Sequence, residues 1–260
     1  MTKEGPQPPM PPAIINRKTA LAVSIPEGTE EARKEDIRLP IWRFLQPTSN
    51  EVVSGEFKAG LLRHSLTGEA KEAIEFIPVY LKLTRVHFDK TKPKSGPLCM
   101  SMDMEHGSGC DCGCESRCGA CKHAVWTYNK ADHRREPPPC QVTYNFVSIT
   151  SEDIERQEVS PMVLRFAKTS AKEAQNLISV TSMTKRKDPE TGEILPIPLW
   201  NHLWKVNLLA KDFPTGKAYV ANLQRGRVTT EEESAWARSL HQEILRSRKL
   251  EFEEAEDAQV

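Results

Sequence analysis

The sequence predicts a β-rich α+β protein: a small, mostly antiparallel barrel or sheet, carrying one long loop insertion and closed by a C-terminal helix. Three observations predict it. Short stretches of strand-period alternation recur without the regular strand–helix–strand rhythm of a doubly wound fold. Residues 96–140 have almost no periodicity yet hold all seven cysteines of the 260-residue chain. Helical periodicity is confined to a stretch after Ser170 and another after Thr230.

The elements follow in order. Residues 1–35 are rich in Pro, Glu, Lys and Thr with little apolar pattern, the composition of a disordered arm. DIRLPIWRFLQ places Ile37, Leu39, Ile41 and Phe44 on an expected edge strand that tolerates Pro40. FKAGLLRH is a second apolar stretch. IEFIPVYLKLTRVHF, residues 74–88, is the clearest strand. Beyond Pro78 it alternates, with Val79, Leu81 and Leu83 on one face and Tyr80, Lys82, Thr84, Val86 and Phe88 on the other. A strand, QVTYNFVSI, starts just after Cys140, and PMVLRF forms another. Ser170 with Glu173 reads as a capping box, followed by Ala174, Leu177 and Ile178 on one helical face. TKRKDPETGEILP reads as a charged loop. HLWKVNLLA and GKAYVANLQ read as a hairpin joined through Lys211 to Thr215. The last helix starts at Thr230, is capped by Glu233, and aligns Trp236, Leu240 and Ile244. The sum is five to seven strands and two helices. The domain spans 36–250, and residues 251–260 form an acidic tail.

Composition narrows the partners. Hydrophobic residues make up 38% and charged residues 28%, with 36 basic and 36 acidic side chains in balance. The balance is uneven along the chain, because residues 251–260 contain five acids and no base. Without them 36 bases face 31 acids, a basic body with an anionic end. The N-terminus lacks the apolar stretch of a signal peptide, and no run of eighteen apolar residues occurs. A soluble, cytoplasmic protein without membrane contact is expected, and in that compartment clustered cysteines serve metals more often than disulfides.

The cysteines admit three readings. Cys118-Gly-Ala-Cys121 is a turn that aims two thiolates at one ion. Eighteen residues separate Cys99 from Cys118 and eighteen separate Cys121 from Cys140, and Cys99 and Cys140 sit at strand boundaries. A tetrahedral Zn2+ on Cys99, Cys118, Cys121 and Cys140 would clip the base of the insertion to its tip. Alternatively the run Cys110, Cys112, Cys114, Cys118 and Cys121, with His106 or His123, ligates one or two ions or an iron–sulfur cluster, although its spacing differs from ferredoxin runs. In the third reading Cys110, Cys112 and Cys114 are surface thiols on a Gly-rich loop.

Catalysis finds no support. PTGKAY lacks the first glycine and the Ser/Thr of a phosphate-binding loop, the zinc-deaminase pattern is missing, and GxSxG, HExxH and GxGxxG are absent. What remains is aromatic and basic residues interleaved on strands: Trp42, Arg43, Tyr80, Lys82, Arg85, Phe88, Lys90, Lys92, Tyr144, Tyr219, Arg225 and Arg227. Stacking on aromatic faces with cations tracking phosphates is how single-stranded nucleic acid is held. Trp204 instead alternates with Val206 and Leu208 as a core position, and Trp236 lies on the apolar stripe of the last helix.

Cys99, Cys118, Cys121, Trp126 and Cys140, then Pro161, Leu164 and Thr169-Ser170-Ala171-Lys172, give the region 37–245 a pattern that resembles a loose group of bacteriophage proteins. That resemblance implies single-stranded-DNA-binding or DNA-metabolism proteins with an OB-like barrel carrying a zinc-binding insertion. The Cys110, Cys112 and Cys114 triplet and the Lys/Pro stretch before Cys99 depart from the pattern. The expectation is a non-enzymatic single-stranded DNA-binding protein of phage DNA replication or recombination. Its zinc would be structural, and its acidic tail would regulate binding or recruit replication or recombination proteins. The competing expectation is a zinc-loop protein that binds other proteins and no nucleic acid.

Overall fold

The computed structural model describes residue 31 and residues 39–88, 96–109, 117–130, 133–158, 160–187, 191–214 and 216–247. The expected N-terminal arm (apart from residue 31), the acidic tail, Lys90, Lys92 and the Cys110, Cys112 and Cys114 triplet lie outside the described residues. Thirteen strands are seen among the described residues: β1 (Ile41–Phe44), β2 (Leu62–His64), β3 (Ala70–Lys71), β4 (Ala73–Phe88), β5 (Pro97–Ser101), β6 (Thr127–Asn129), β7 (Arg134–Glu136), β8 (Cys140–Thr150), β9 (Met162–Phe166), β10 (Lys185–Lys187), β11 (Ile194–Pro196), β12 (His202–Phe213) and β13 (Gly216–Val228). The helices are α1 (Asn50–Val53), α2 (Ser151–Glu155), α3 (Ala171–Met183) and α4 (Glu231–Ser247).

Nine strands form one curled, half-barrel sheet in the order β13-β12-β4-β8-β9-β1-β2-β3, with β5 on the far end of β4. Both counts exceed the expected five to seven strands and two helices, because short pairings of two or three residues carry too little pattern to be read. The sheet is mixed rather than purely antiparallel, since β1 runs parallel to β9. β1 is therefore an interior strand, held between β9 and β2, and not the expected edge. Pro40 is tolerated because it precedes the paired residues, and its carbonyl accepts from the Val163 N–H.

Antiparallel partners share a face, so the register sorts the core into two layers. On one face Trp42, Leu62, Phe76, Phe146, Leu164, Trp204 and Val206 pack under Ala174 and Leu177 of α3. On the other, Ile41, Ile77, Val79, Val147, Ile149 and Val163 pack under Ala237, Leu240 and Ile244 of α4 and Ile154 of α2. Phe76, Phe146, Phe166 and Leu164 are fully buried, each contributing about 1.5–3 kcal/mol.

A bulge between Pro78 and Tyr80 corrects the expected alternation. Pro78 pairs with Ser148 and Tyr80 with Val147, which leaves Val79 as the extra residue. A proline without an N–H in an interior strand calls for such an irregularity. Val79 and Tyr80 consequently both pack in the α4 layer, whereas Leu81 joins the α3 layer.

The helix ends follow local chemistry, with one correction. Thr230 and Glu233 form the expected capping box of α4: the Thr230 N–H donates to Glu233 Oε2 at 2.7 Å, and the Glu233 N–H donates to Thr230 Oγ1 at 3.2 Å. Ser170 does not cap α3 through its side chain. Its Oγ accepts from the Ala221 N–H at 3.1 Å, a tertiary bond that outcompetes the local one. A second capping box, Thr150 with Asp153, starts α2. β12 and β13 also run through much of the expected turn, so that Phe213 pairs with Gly216. The charged loop after α3 contains the small β10–β11 hairpin.

Candidate metal centre and basic sheet face

The far end of β4 gathers the cysteines. His87 pairs with Cys99 on β5 and with Cys140 on β8, so the two cysteines flank it on one face of the sheet. The segment from 117 to 124 lies over the same face. Arg85 donates to the Ala124 carbonyl at 3.4 Å, and the His87 and His123 rings stand 4.6 Å apart. The CxxC turn is tight: the Cys118 N–H donates to Glu105 O, the Cys121 N–H to Cys118 O, and the Ala124 N–H to Cys121 O. Before it, Asp103 ties the loop, its carboxylate accepting from the backbone N–H groups of Glu105 and His106 and lying 2.9 Å from His106 Nδ1. The bonds from His106 hold the Asp103 carboxyl well below the usual carboxylate range. Gly109 is required where it stands: φ is +77°, and a Cβ would come within 2.7 Å of the Leu98 carbonyl.

Cys99, Cys118, Cys121 and Cys140 are all buried and none forms a disulfide. Burial pushes the Cys140 thiol up to about 11, Cys118 and Cys121 push the same way, and Arg85 opposes them. Cys118 and Cys121 thus each lie within electrostatic reach of Cys140, and Cys99 lies on the strand next to His87. Among the described residues no three His, Cys, Asp or Glu side chains stand in finished ligating geometry. The donor set is nonetheless one that suits a soft, tetrahedral ion: four sulfurs, sheltered from water, on a loop with almost no core of its own.

The opposite face of the same strands carries cations. Lys82 of β4 pairs with Asn145 of β8, and Asn145 with Arg165 of β9. Arg165 and Arg43 each follow the parallel Leu164–Trp42 pair, and Arg43 pairs with Arg63 of β2. Arg63, Arg43, Arg165, Asn145 and Lys82 therefore form one row across five strands, spanning about 19 Å at the usual strand spacing. The four cations are half-buried. Glu51 of α1 sits between two of them, 2.9 Å from Arg63 and 3.9 Å from Arg43. Arg165 Nε donates to Asn145 Oδ1, while the Asn145 amide donates to the Lys82 carbonyl and to Thr84 Oγ1. Asn145 is a fully buried polar tie that joins Arg165 to Lys82 in the row. Tyr80 and Phe88 stand on this face of β4 with Lys82.

The other candidate residues are scattered. Trp42 is buried in the α3 layer with Lys71 above its ring. Tyr144 and Tyr219 pack against the same layer, and Tyr144 Oη accepts from Gln175. Tyr219 lies against Gly60, and its backbone pairs with the Gln46 amide. Tyr80 packs near His241 of α4. Arg85 belongs to the cysteine end. Arg227 is committed to Glu233 through two bonds of 2.7 and 2.8 Å, which hold the Glu233 carboxyl below its ordinary value. Arg225 borders a cleft of about 350 Å³ between α3 and the β12–β13 hairpin, with Trp204, Leu177 and Leu223 as its apolar wall. Sequence reasoning missed Arg63 and Arg165, which join the row only through strand register.

The family model described as Pam3 phage gp34-like protein matches residues 13–249, nearly the whole chain. The chain belongs to this phage family. The match runs through both the cysteine-bearing insertion and the basic row. No curated protein and no solved structure matches the chain. Among the described residues, no helix is long and apolar enough to cross a membrane.

Proposed function

We propose that this phage protein binds single-stranded DNA during replication or recombination, on an OB-like sheet whose cysteine-rich insertion is held by a structural Zn2+. The observation that carries the reading is the cationic row across five strands, with Tyr80 and Phe88 on the same face. A single strand crossing such a sheet meets phosphate-binding groups at intervals and, at the β4 end of the row, aromatic side chains. Asn145 and Glu51 hold the cations in place before a ligand arrives, which lowers the ordering cost of binding.

Zinc suits the four buried cysteines for a separate reason. An apolar setting is unfavourable for a lone thiolate, as the raised Cys140 thiol reflects, and a divalent ion bound by the sulfurs offsets that cost. Its role in this reading is to close the insertion, joining Cys118 and Cys121 of the loop to Cys99 and Cys140 at its base. Oligo-dT of twenty nucleotides, titrated against the protein at low salt, tests the proposal. Micromolar or tighter binding is expected, with duplex DNA of equal length binding more weakly. Absence of binding at low salt would remove the reading.

A further inference from the structure

The insertion presents two large aromatics to water. Trp126 is 64% exposed and Tyr128 57% exposed, with Val125 beside them at 50%. Large apolar rings are ordinarily withdrawn from water, so two left uncovered side by side mark an interaction site more than a packing accident. The hairpin that carries them, β6–β7, has three-residue strands and could not stand alone in water. It is held from both sides, by Cys118 and Cys121 just before it and by Cys140 just after it, all buried in the sheet end. Tyr128 lies in the middle of β6, and Trp126 immediately precedes that strand. Tyr128 pairs across the hairpin with Arg135, which brings a guanidinium to the side of Tyr128. The Asn129 amide donates to Glu136 at 2.9 Å, and Tyr128 Oη lies 3.3 Å from His133 Nδ1, so the hairpin is braced internally. Lys122 and Lys130 are exposed around it.

We infer that the β6–β7 hairpin is a second contact for single-stranded nucleic acid, with Trp126 and Tyr128 stacking bases and Arg135 meeting the backbone; this rests on the function proposed above. Cations interleaved with exposed rings fit a nucleic acid better than a protein partner, whose docking patch would be apolar at its centre. The cysteine-bound insertion then has a purpose beyond its own order: it carries a rigid stacking platform away from the sheet.

The test uses the full chain with Trp126→Ala and Tyr128→Ala, each titrated with dT20, alongside thermal melting. Each variant should bind about tenfold more weakly with an unchanged salt slope and an unchanged melting temperature, and Trp126→Phe should recover most of the affinity. A 5-iodouracil oligonucleotide should crosslink to residues 126–136. Wild-type binding with both alanine variants at wild-type affinity would overturn the platform and leave the basic row standing. Crosslinks confined to the sheet would do the same. A wild-type chain that ignores dT20 would remove both.

Discussion

Lys82 offers the cleanest quantitative test of the basic row. It ends the row on β4, its backbone carbonyl accepts from Asn145, and among the described residues its ammonium enters no ion pair. Truncation to alanine therefore removes one charge and leaves the sheet's bonds in place. If Arg63, Arg43, Arg165 and Lys82 each neutralise one phosphate, log K should fall against log salt with a slope of about −2.8. Raising salt from 50 to 200 mM would then weaken binding about 50-fold. Lys82→Ala should reduce the slope to about −2.1, and the same salt step should then weaken binding only about 20-fold. Anisotropy of a fluorescein-labelled dT20 over four salt concentrations measures both slopes. Equal slopes for the two proteins, or a wild-type slope near zero, would refute the assignment of phosphates to this row.

Three further outcomes are expected. Elemental analysis of purified protein should find about one zinc per chain, and Cys140→Ser should lose the metal and expose residues 99–140 to proteolysis; iron in place of zinc would point to the cluster reading instead. Glu233→Gln should cost about 1–2 kcal/mol at neutral pH by denaturant melts, since Glu233 both caps α4 and holds Arg227. Because Arg227 depresses the Glu233 carboxyl, that stabilisation is complete above its ordinary value near 4.5 and disappears as pH falls through the lower folded value. The gap between wild type and variant should accordingly close in acid, and a gap that persists at pH 2 would show that it does not come from the charge. Deleting residues 251–260 removes five acids and should tighten dT20 binding at low salt, whereas unchanged affinity would limit the tail to solubility.

Much of the fold was legible because apolar period and caps are local. The long strands at 74–88, 140–150, 202–213 and 216–228 and the helix after Thr230 are written in alternation and in Thr230–Glu233. Three features depended on distant partners. The extra residue at Val79 shows only in the register of β4 against β8. Ser170 gives up its local capping role because the Ala221 N–H on β13 needs an acceptor. Arg43 and Lys82 were recognisable as basic residues on strands, but Arg63 and Arg165 share their row through pairings between residues 20 and 63 positions apart. At the cysteine end, Cys118 and Cys121 were legible from their spacing, and Cys99 and Cys140 from their place beside strands. That His87 lies between the last two is a matter of register alone.

The extra residue at Val79 gives β4 a sensitivity that substitutions would not reveal. Side chains alternate along a strand, so one residue more or less reverses the facing of everything beyond it. Upstream, Ile74 and Phe76 are anchored against β12; downstream lie Lys82 for one face and Arg85 and His87 for the other. Loss of Val79 with the upstream anchor kept would trade the two sides, sending Lys82 toward the cysteines and His87 toward the basic row. Relatives of this chain should therefore keep the number of residues between Phe76 and Lys82 even where the residues themselves change. A gap there in an aligned sequence would be the mark of a protein that had abandoned both surfaces together.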